Sequence, residues 1–167
     1  NSIGNVRGIK LEDLKRSPDK SIKKISDWIG IKENPLLYQS TFMGKQFSRP
    51  SVNFNNIKGF DTRSIDVSLG RIFGEKDIEI LETLFWPFMD MYGYTKMSKE
   101  DFLKNLQDIR PHLDKPFQFE VDLYKKLPGD KPDISKITQF NELHRDLINI
   151  WEILNETKTY PNLIQPL

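Results

Sequence analysis

Proline and glycine divide this chain into short segments, and the positions of these residues are the feature that most constrains its fold. Ten prolines and nine glycines are spread over 167 residues. Proline ends or kinks a helix, and glycine commonly follows the last helical turn. Between these breaks, apolar residues recur mostly every three or four positions, as in amphipathic helices. The sequence therefore predicts a mostly helical protein with about five helices and one short strand near the N-terminus.

The first segment predicts a strand followed directly by a helix. Residues 6–14 alternate roughly between apolar and charged side chains, and the predicted strand ends at the acidic pair Glu12 and Asp13. Ser17 and Pro18 then predict the N-cap and first residue of a helix, which we expect to end at Gly30. Its expected apolar stripe consists of Ile22, Ile25, Trp28 and Ile29. Such a pair is half of an α/β unit, and its lone strand needs partner strands from a longer protein or from a second copy.

A long irregular segment follows at residues 34–73. It contains glycine, proline and asparagine turns together with Ser, Thr, Lys, Arg and Phe side chains. A loop of this length inside a compact domain is usually functional or mobile. Its composition suits an anionic, aromatic ligand.

Four helical segments are predicted in the remainder. Residues 75–92 form a helix that Pro87 kinks or splits after Phe85, and Gly93 ends it. Ser98, followed by Asp101, predicts a capped start for a helix over residues 102–109. A brief helix is expected over residues 117–126. The last helix is expected over residues 133–156, with a buried stripe of Ile137, Phe140, Leu143, Leu147, Ile150, Trp151 and Leu154.

Composition and charge exclude several classes of site. The chain has no cysteine, so a disulfide scaffold, a thiolate zinc site and a cysteine nucleophile are all excluded. Absence of cysteine fits a cytoplasmic location, and no apolar run approaches the ~20 residues of a membrane span. The net charge of +1 hides an asymmetry, because residues 1–58 carry eleven basic and five acidic side chains. The basic residues are scattered without a nucleic-acid-binding signature, so we expect an anionic small ligand rather than a nucleic acid or a membrane.

Common catalytic motifs do not match. Gly44 and Lys45 suggest a phosphate-binding P-loop, but that motif needs Gly where Gln39 stands and Ser or Thr where Gln46 stands. The histidines His112 and His144 are too isolated in the sequence for a metal site. His144 borders an apolar helical stripe, so we expect a partly buried, hydrogen-bonded histidine rather than a general base. No metal and no complete catalytic apparatus are predicted.

One ordered set of motifs resembles a known family. Residues 6–14 (VRGIKLEDL), the following helix ending at Gly30, and residues 36–45 (LLYQSTFMGK) are similar to the late segments of sulfotransferases that use 3′-phosphoadenosine 5′-phosphosulfate. Residues 70–72 (GRI) and the helix ending at Gly93 and Tyr94 resemble motifs that come later in the family's sequences. The resemblance covers roughly residues 5–94. It implies the C-terminal part of an α/β, P-loop-like sulfotransferase fold, with residues 1–94 as core segment and 95–167 as a helical extension.

The resemblance also implies roles for individual residues. Ser40, Thr41 and Phe42 would line the adenine pocket, Phe42 by stacking and the two hydroxyls by hydrogen bonds. The family holds the nucleotide 3′-phosphate with an Arg-x-Gly segment, but here the arginine is shifted by two positions and the glycine is missing. The candidates for this phosphate are Lys45, Arg49, Arg63 and Arg71.

The family's phosphosulfate loop and catalytic histidine belong before the strand with which this chain begins. The resemblance therefore implies a sulfotransferase fragment that is inactive alone and binds the nucleotide donor or 3′,5′-adenosine bisphosphate weakly or not at all. The intact protein would transfer a sulfuryl group to a hydroxyl or amine of a small-molecule acceptor. The alternative is a non-enzymatic interaction module, which would bind a partner or form a homo-oligomer through the apolar stripes of residues 78–92 and 137–154.

Overall fold

A computed structural model describes residues 6–39, 41–42, 45–46, 60, 62, 65, 72–129, 133–134 and 138–167, with backbone alone at 41–42, 45–46 and 138–141. The seven helices of these ranges are α1 (Leu11–Arg16), α2 (Pro18–Ile29), α3 (Glu75–Leu84), α4 (Trp86–Met91), α5 (Lys99–Asp108), α6 (Gln118–Lys125) and α7 (Thr138–Thr157). The strands are β1 (Thr41–Phe42) and β2 (Lys45–Gln46). The predominance of helix is confirmed.

The chain forms two compact units. Unit 1 comprises Asn1–Val67 with Ile164–Leu167, and unit 2 comprises Ser68–Leu163. Helices from both sides of residue 94 share the core of unit 2. Within the described ranges, none of the helices has the length and apolar character needed to cross a membrane.

The predicted N-terminal strand is wrong. Residues 6–10 make a single parallel bridge, in which the Gly8 amide donates to Gln165 and the Leu167 amide donates to Gly8, both at 2.9 Å. The chain then turns into α1 at Leu11 instead of continuing as a strand. Acidic Glu12 and Asp13 in the first turn, with basic Lys15 and Arg16 in the last, match the helix dipole and favour this helix.

Helix α2 has the predicted bounds but a different buried face. Pro18 is its first residue, and Gly30 ends it in the left-handed region at φ 73°. Ser17 occupies the N-cap position, but its side chain makes no capping hydrogen bond. Trp28 and Ile29 are 38% and 49% exposed. The buried side chains are instead Ser21, Ile22 and Ser26.

Proline divides the next helical segment as predicted. Helix α3 stops at Leu84, and α4 starts at Trp86 with Pro87 in its first turn. A proline there needs no amide partner, so the break forms directly after Phe85. Gly93, at φ 66°, follows the end of α4.

The remaining helices follow their predicted positions with shifted starts. Ser98 Oγ accepts the Asp101 amide at 3.1 Å, which confirms the predicted cap of α5. Helix α6 confirms the brief helix. Helix α7 begins at Thr138 rather than 133. In its stripe Leu147 and Leu154 are buried, while Leu143 is 41% exposed. Residue 137 and the side chain of residue 140 lie outside the described set.

Unit 2 has a continuous apolar core. Trp86 and Phe102 stack with ring centroids 4.4 Å apart, and the Trp86 indole donates to the Met97 carbonyl at 3.0 Å. The Trp151 indole donates to the Leu106 carbonyl at 2.6 Å, which joins α7 to α5. Buried members of the core are Ile80, Leu84, Trp86, Phe102, Leu106, Ile109, Leu113, Phe117, Leu147 and Leu154. Burial thus fixes α3, α4, α5 and α7 in unit 2, and the indole hydrogen bonds to backbone also anchor α4 and α7.

Candidate functional site

The β1–β2 hairpin contains three of the seven residues proposed for nucleotide binding. Its antiparallel register pairs Thr41 with Gln46 and Phe42 with Lys45. An aromatic residue and a basic residue therefore occupy opposed positions of one hairpin. The other proposed residues lie outside the described residues, and they are Ser40, Arg49, Arg63 and Arg71.

An open pocket of about 440 Å³ lies in unit 1, in the segment that leads to this hairpin. It is lined by Asp19, Glu33, Asn34, Pro35 and Tyr38. The 3₁₀ turn Pro35–Tyr38 shapes one side of the pocket, and the Asn34 side chain starts this turn by accepting the Leu36 amide at 2.9 Å. The sequence signal for this turn is the Asn34-Pro35 pair, but the sequence analysis assigned it no role.

The electrostatics of this pocket are acidic. The Tyr38 hydroxyl donates to Glu33 Oε2 at 3.1 Å. Partial burial raises the pKa of Tyr38, and the hydrogen bond and charge of Glu33 add to this effect. Exposed carboxylates of Asp19 and Glu33 repel phosphate and sulfate groups. The pocket thus suits neutral or cationic groups rather than a phosphate.

Among the described residues, a histidine next to a carboxylate, the combination often found in catalytic sites, lies in unit 2. His144 Nε2 is 3.0 Å from Glu120 Oε2, and Nδ1 is 2.6 Å from the Leu113 carbonyl oxygen. The His144 side chain is 5% exposed and that of Glu120 13%. Because both ring nitrogens are occupied and the ring is buried, this histidine has no free nitrogen for a substrate. The prediction of a hydrogen-bonded histidine is confirmed, and the ring is buried rather than partly buried.

Asp77 is the other buried carboxylate of this region, with 3% exposure. Its oxygens accept the amides of Gly74, Gln118 and Phe119 at 3.1, 2.9 and 3.1 Å. Three amide donors fully engage the carboxylate at the starts of α3 and α6. We assign it to helix capping, a role that sequence reasoning missed because two of the donors lie 41 and 42 residues away.

Metal-binding and comparative searches add no further site. In the parts of the chain that the structure describes, no group of three or more His, Asp or Glu side chains is arranged to hold a metal ion. Comparisons with protein families, with curated proteins and with solved structures found no match. The functional argument therefore depends on the motifs and on the geometry of unit 1.

Proposed function

We propose that this chain is the C-terminal part of a sulfotransferase and that the β1–β2 hairpin contributes the adenine side of the donor pocket. The observation that carries the proposal is the register of the hairpin, which opposes Phe42 to Lys45. A nucleotide offers an aromatic base and anionic phosphates, and an aromatic residue beside a cation matches both. The neighbouring segments support this assignment, because α2 ends at Gly30 and α4 is followed by Gly93 and Tyr94, as the family resemblance implies.

In this proposal each hairpin residue has a separate task. Phe42 stacks on adenine, and the hydroxyls of Ser40 and Thr41 orient the base. Lys45 neutralises a phosphate, and Arg49 or Arg63 provides the bidentate contact to the 3′-phosphate. The bound donor would supply the sulfuryl group, which passes to an acceptor hydroxyl or amine. The contribution of this chain is positioning and charge stabilisation rather than proton transfer.

Calorimetric titration with 3′,5′-adenosine bisphosphate at low salt tests the nucleotide site. We expect Phe42→Ala to weaken binding about tenfold or more, because a stacked base contributes ~1–3 kcal/mol. Lys45→Gln should weaken binding and reduce its salt dependence. Phe85→Ala and Lys99→Gln are matched controls in unit 2, where both residues are exposed. Equal affinity of Phe42→Ala and the unmodified chain, or no binding at millimolar ligand both to this chain and to a version restored to full length, would contradict the proposal.

A second candidate function, self-association or partner binding, is favoured by the surface of unit 1. Among its described hydrophobic side chains Ile22 is buried at 6% exposure. Those at least 37% exposed are Val6, Ile9, Leu11, Trp28, Ile29, Ile31, Leu36 and Ile164. Exposed apolar groups of this number are typical of a contact surface. Light scattering after size exclusion tests this candidate, and a monomer at all concentrations would count against self-association.

A further inference from the structure

The buried pair Glu120–His144 has more acceptors around its imidazole than a neutral ring can satisfy. The Leu113 carbonyl can only accept, so Nδ1 carries a hydrogen at the 2.6 Å contact. Glu120 Oε2 lies 3.0 Å from Nε2 and also accepts the Phe117 amide at 2.8 Å. A neutral ring with its proton on Nδ1 presents a lone pair at Nε2. A proton is therefore required between Nε2 and Oε2 for this contact to be a hydrogen bond.

Loss of that proton reverses the sign of the interaction. A lone pair on Nε2 would then face a carboxylate oxygen at 3.0 Å. Both side chains are largely withdrawn from solvent, so water would screen this repulsion poorly. The pair would separate rather than remain at this distance.

The pair joins three parts of unit 2. His144 belongs to α7, Leu113 to the turn after α5, and Glu120 to the first turn of α6. The Phe117 ring, directly before α6, packs against the imidazole with centroids 5.1 Å apart. Separation of the pair would therefore release the start of α6 from α7.

Other charged groups surround the pair without replacing its proton. Asp77 of α3 accepts the next two amides of α6, at Gln118 and Phe119. Arg110 and Asp114, beside Leu113, form an ion pair at 2.6 Å. On α7 the two charged residues that follow His144 are Arg145 and Asp146, which are exposed.

We propose that Glu120 and His144 form a proton-dependent latch between α6 and α7. With the proton present, the latch is closed and the Phe117 amide is held. When rising pH removes the proton, the latch opens at this amide, whereas Asp77 keeps its hold on Gln118 and Phe119. The device is a pH-sensitive contact within unit 2 and is independent of the nucleotide proposal.

Amide hydrogen exchange of the whole chain between about pH 5 and about pH 8 tests the latch, with protection corrected for the intrinsic pH dependence of exchange. We expect protection of the Phe117 amide to fall about tenfold or more as the latch opens, since a hydrogen bond to a charged group is lost. Protection of the Gln118 and Phe119 amides should change much less. Nitrogen-15 spectra should show His144 protonated on both ring nitrogens in the closed state, with His112 as the second histidine for comparison.

Two variants separate the latch from a general effect of pH. Glu120→Gln removes the carboxylate charge that faces Nε2, so the repulsion of a neutral ring is much weaker and the fall of Phe117 protection with rising pH should be much smaller. His112→Asn removes the other histidine and should leave the response unchanged. A response of undiminished size in Glu120→Gln, or a singly protonated His144 throughout this range, would overturn the proposal.

Discussion

At the scale of single residues, Asp77 shows how one buried carboxylate can stabilise two helices. Its oxygens accept the Gly74 amide at the start of α3 and the Gln118 and Phe119 amides at the start of α6. The first amides of a helix have no partner within the helix itself. A negative charge at these two N-termini is also favoured by the helix dipoles. The carboxylate therefore has its charge balanced by backbone groups rather than by a cation.

We expect Asp77→Asn to lower the free energy of unfolding by about 3 kcal/mol. The asparagine side chain has an NH₂ group in place of one carboxylate oxygen, so a donor would face buried backbone amides that are themselves donors. Asp146→Asn is the matched control, since Asp146 is exposed on α7 and a surface change of this kind costs less than about 0.5 kcal/mol. Urea denaturation monitored by circular dichroism measures both. Similar urea midpoints for the two variants would show that Asp77 does not stabilise the protein by capping these helices.

Tyr160 links stability to alkaline pH. Its hydroxyl donates to the Leu84 carbonyl, and burial raises its pKa to about 12, against about 10 for an exposed tyrosine. The folded protein holds this proton more firmly than the unfolded chain. The contribution of Tyr160 is therefore complete below about pH 10 and is lost between about pH 10 and about pH 12.

Tyr160→Phe should accordingly flatten the fall of stability above about pH 10 and cost about 1 kcal/mol at neutral pH. Urea titrations at neutral pH and at about pH 11 measure both effects, and phenolate absorbance reports the ionisation directly. Tyr94→Phe, at an exposed position (49%), should leave the alkaline slope nearly unchanged. An identical slope for Tyr160→Phe and the unmodified chain would contradict the assignment.

At the scale of helices and strands, a buried and an exposed leucine on α5 allow a direct test of the core. Leu106 is fully buried, whereas Leu103 is 36% exposed. We expect Leu106→Ala to cost about 3 kcal/mol of unfolding free energy, because it leaves a cavity. Leu103→Ala should cost less than about 1 kcal/mol. Urea midpoints of the two variants measure the difference. Equal losses of unfolding free energy would show that Leu106 is not part of the core.

Local signals made the helix ends predictable. Pro18 and Gly30 bound α2, Pro87 separates α4 from α3, and Ser98 caps α5. Each of these residues acts through its own backbone or through an amide within three positions, so sequence alone contains the information. The interpretation of residues 6–14 as a strand failed because a rough alternation was given more weight than the charges that favour α1.

Non-local contacts were not predictable from one sequence. The second helix capped by Asp77 starts 41 residues away, and the Glu120–His144 contact spans 24 residues. Exposure of Trp28 and Leu143 likewise depends on which neighbours cover each face, and periodicity alone does not contain that information. Of the candidate nucleotide site, the sequence predicted the residue types, whereas the pairing of Phe42 with Lys45 came from the hairpin register.

At the scale of the whole molecule, the described residues of the two units differ in how much apolar surface they bury. The buried cluster belongs to unit 2, which has ten fully or nearly fully buried hydrophobic side chains. In unit 1 the buried hydrophobic residue of the described set is Ile22. Since burial of apolar area is the main source of stability, unit 2 should be the more stable of the two.

We expect a fragment of residues 68–163 to fold alone, because the core that it contains is complete. Circular dichroism should show helix, and urea should unfold the fragment in one cooperative transition. A fragment of residues 1–67 should lack such a transition, since Ile22 is the buried hydrophobic side chain among those of its residues that the structure describes. A fragment 68–163 without cooperative unfolding would show that unit 2 needs unit 1.

The pairing of Gly8 with residues 165–167 has a consequence for the order of folding during synthesis. Two backbone hydrogen bonds and a contact from Lys24 to the Leu167 carbonyl at 3.3 Å close unit 1 over 143 residues of chain. Contacts of such long range form late, and domains fold as they leave the ribosome. Unit 2 emerges complete before residues 164–167 do. The segment around Gly8 is therefore paired only after unit 2 has emerged, and its apolar side chains stay accessible to chaperones until then.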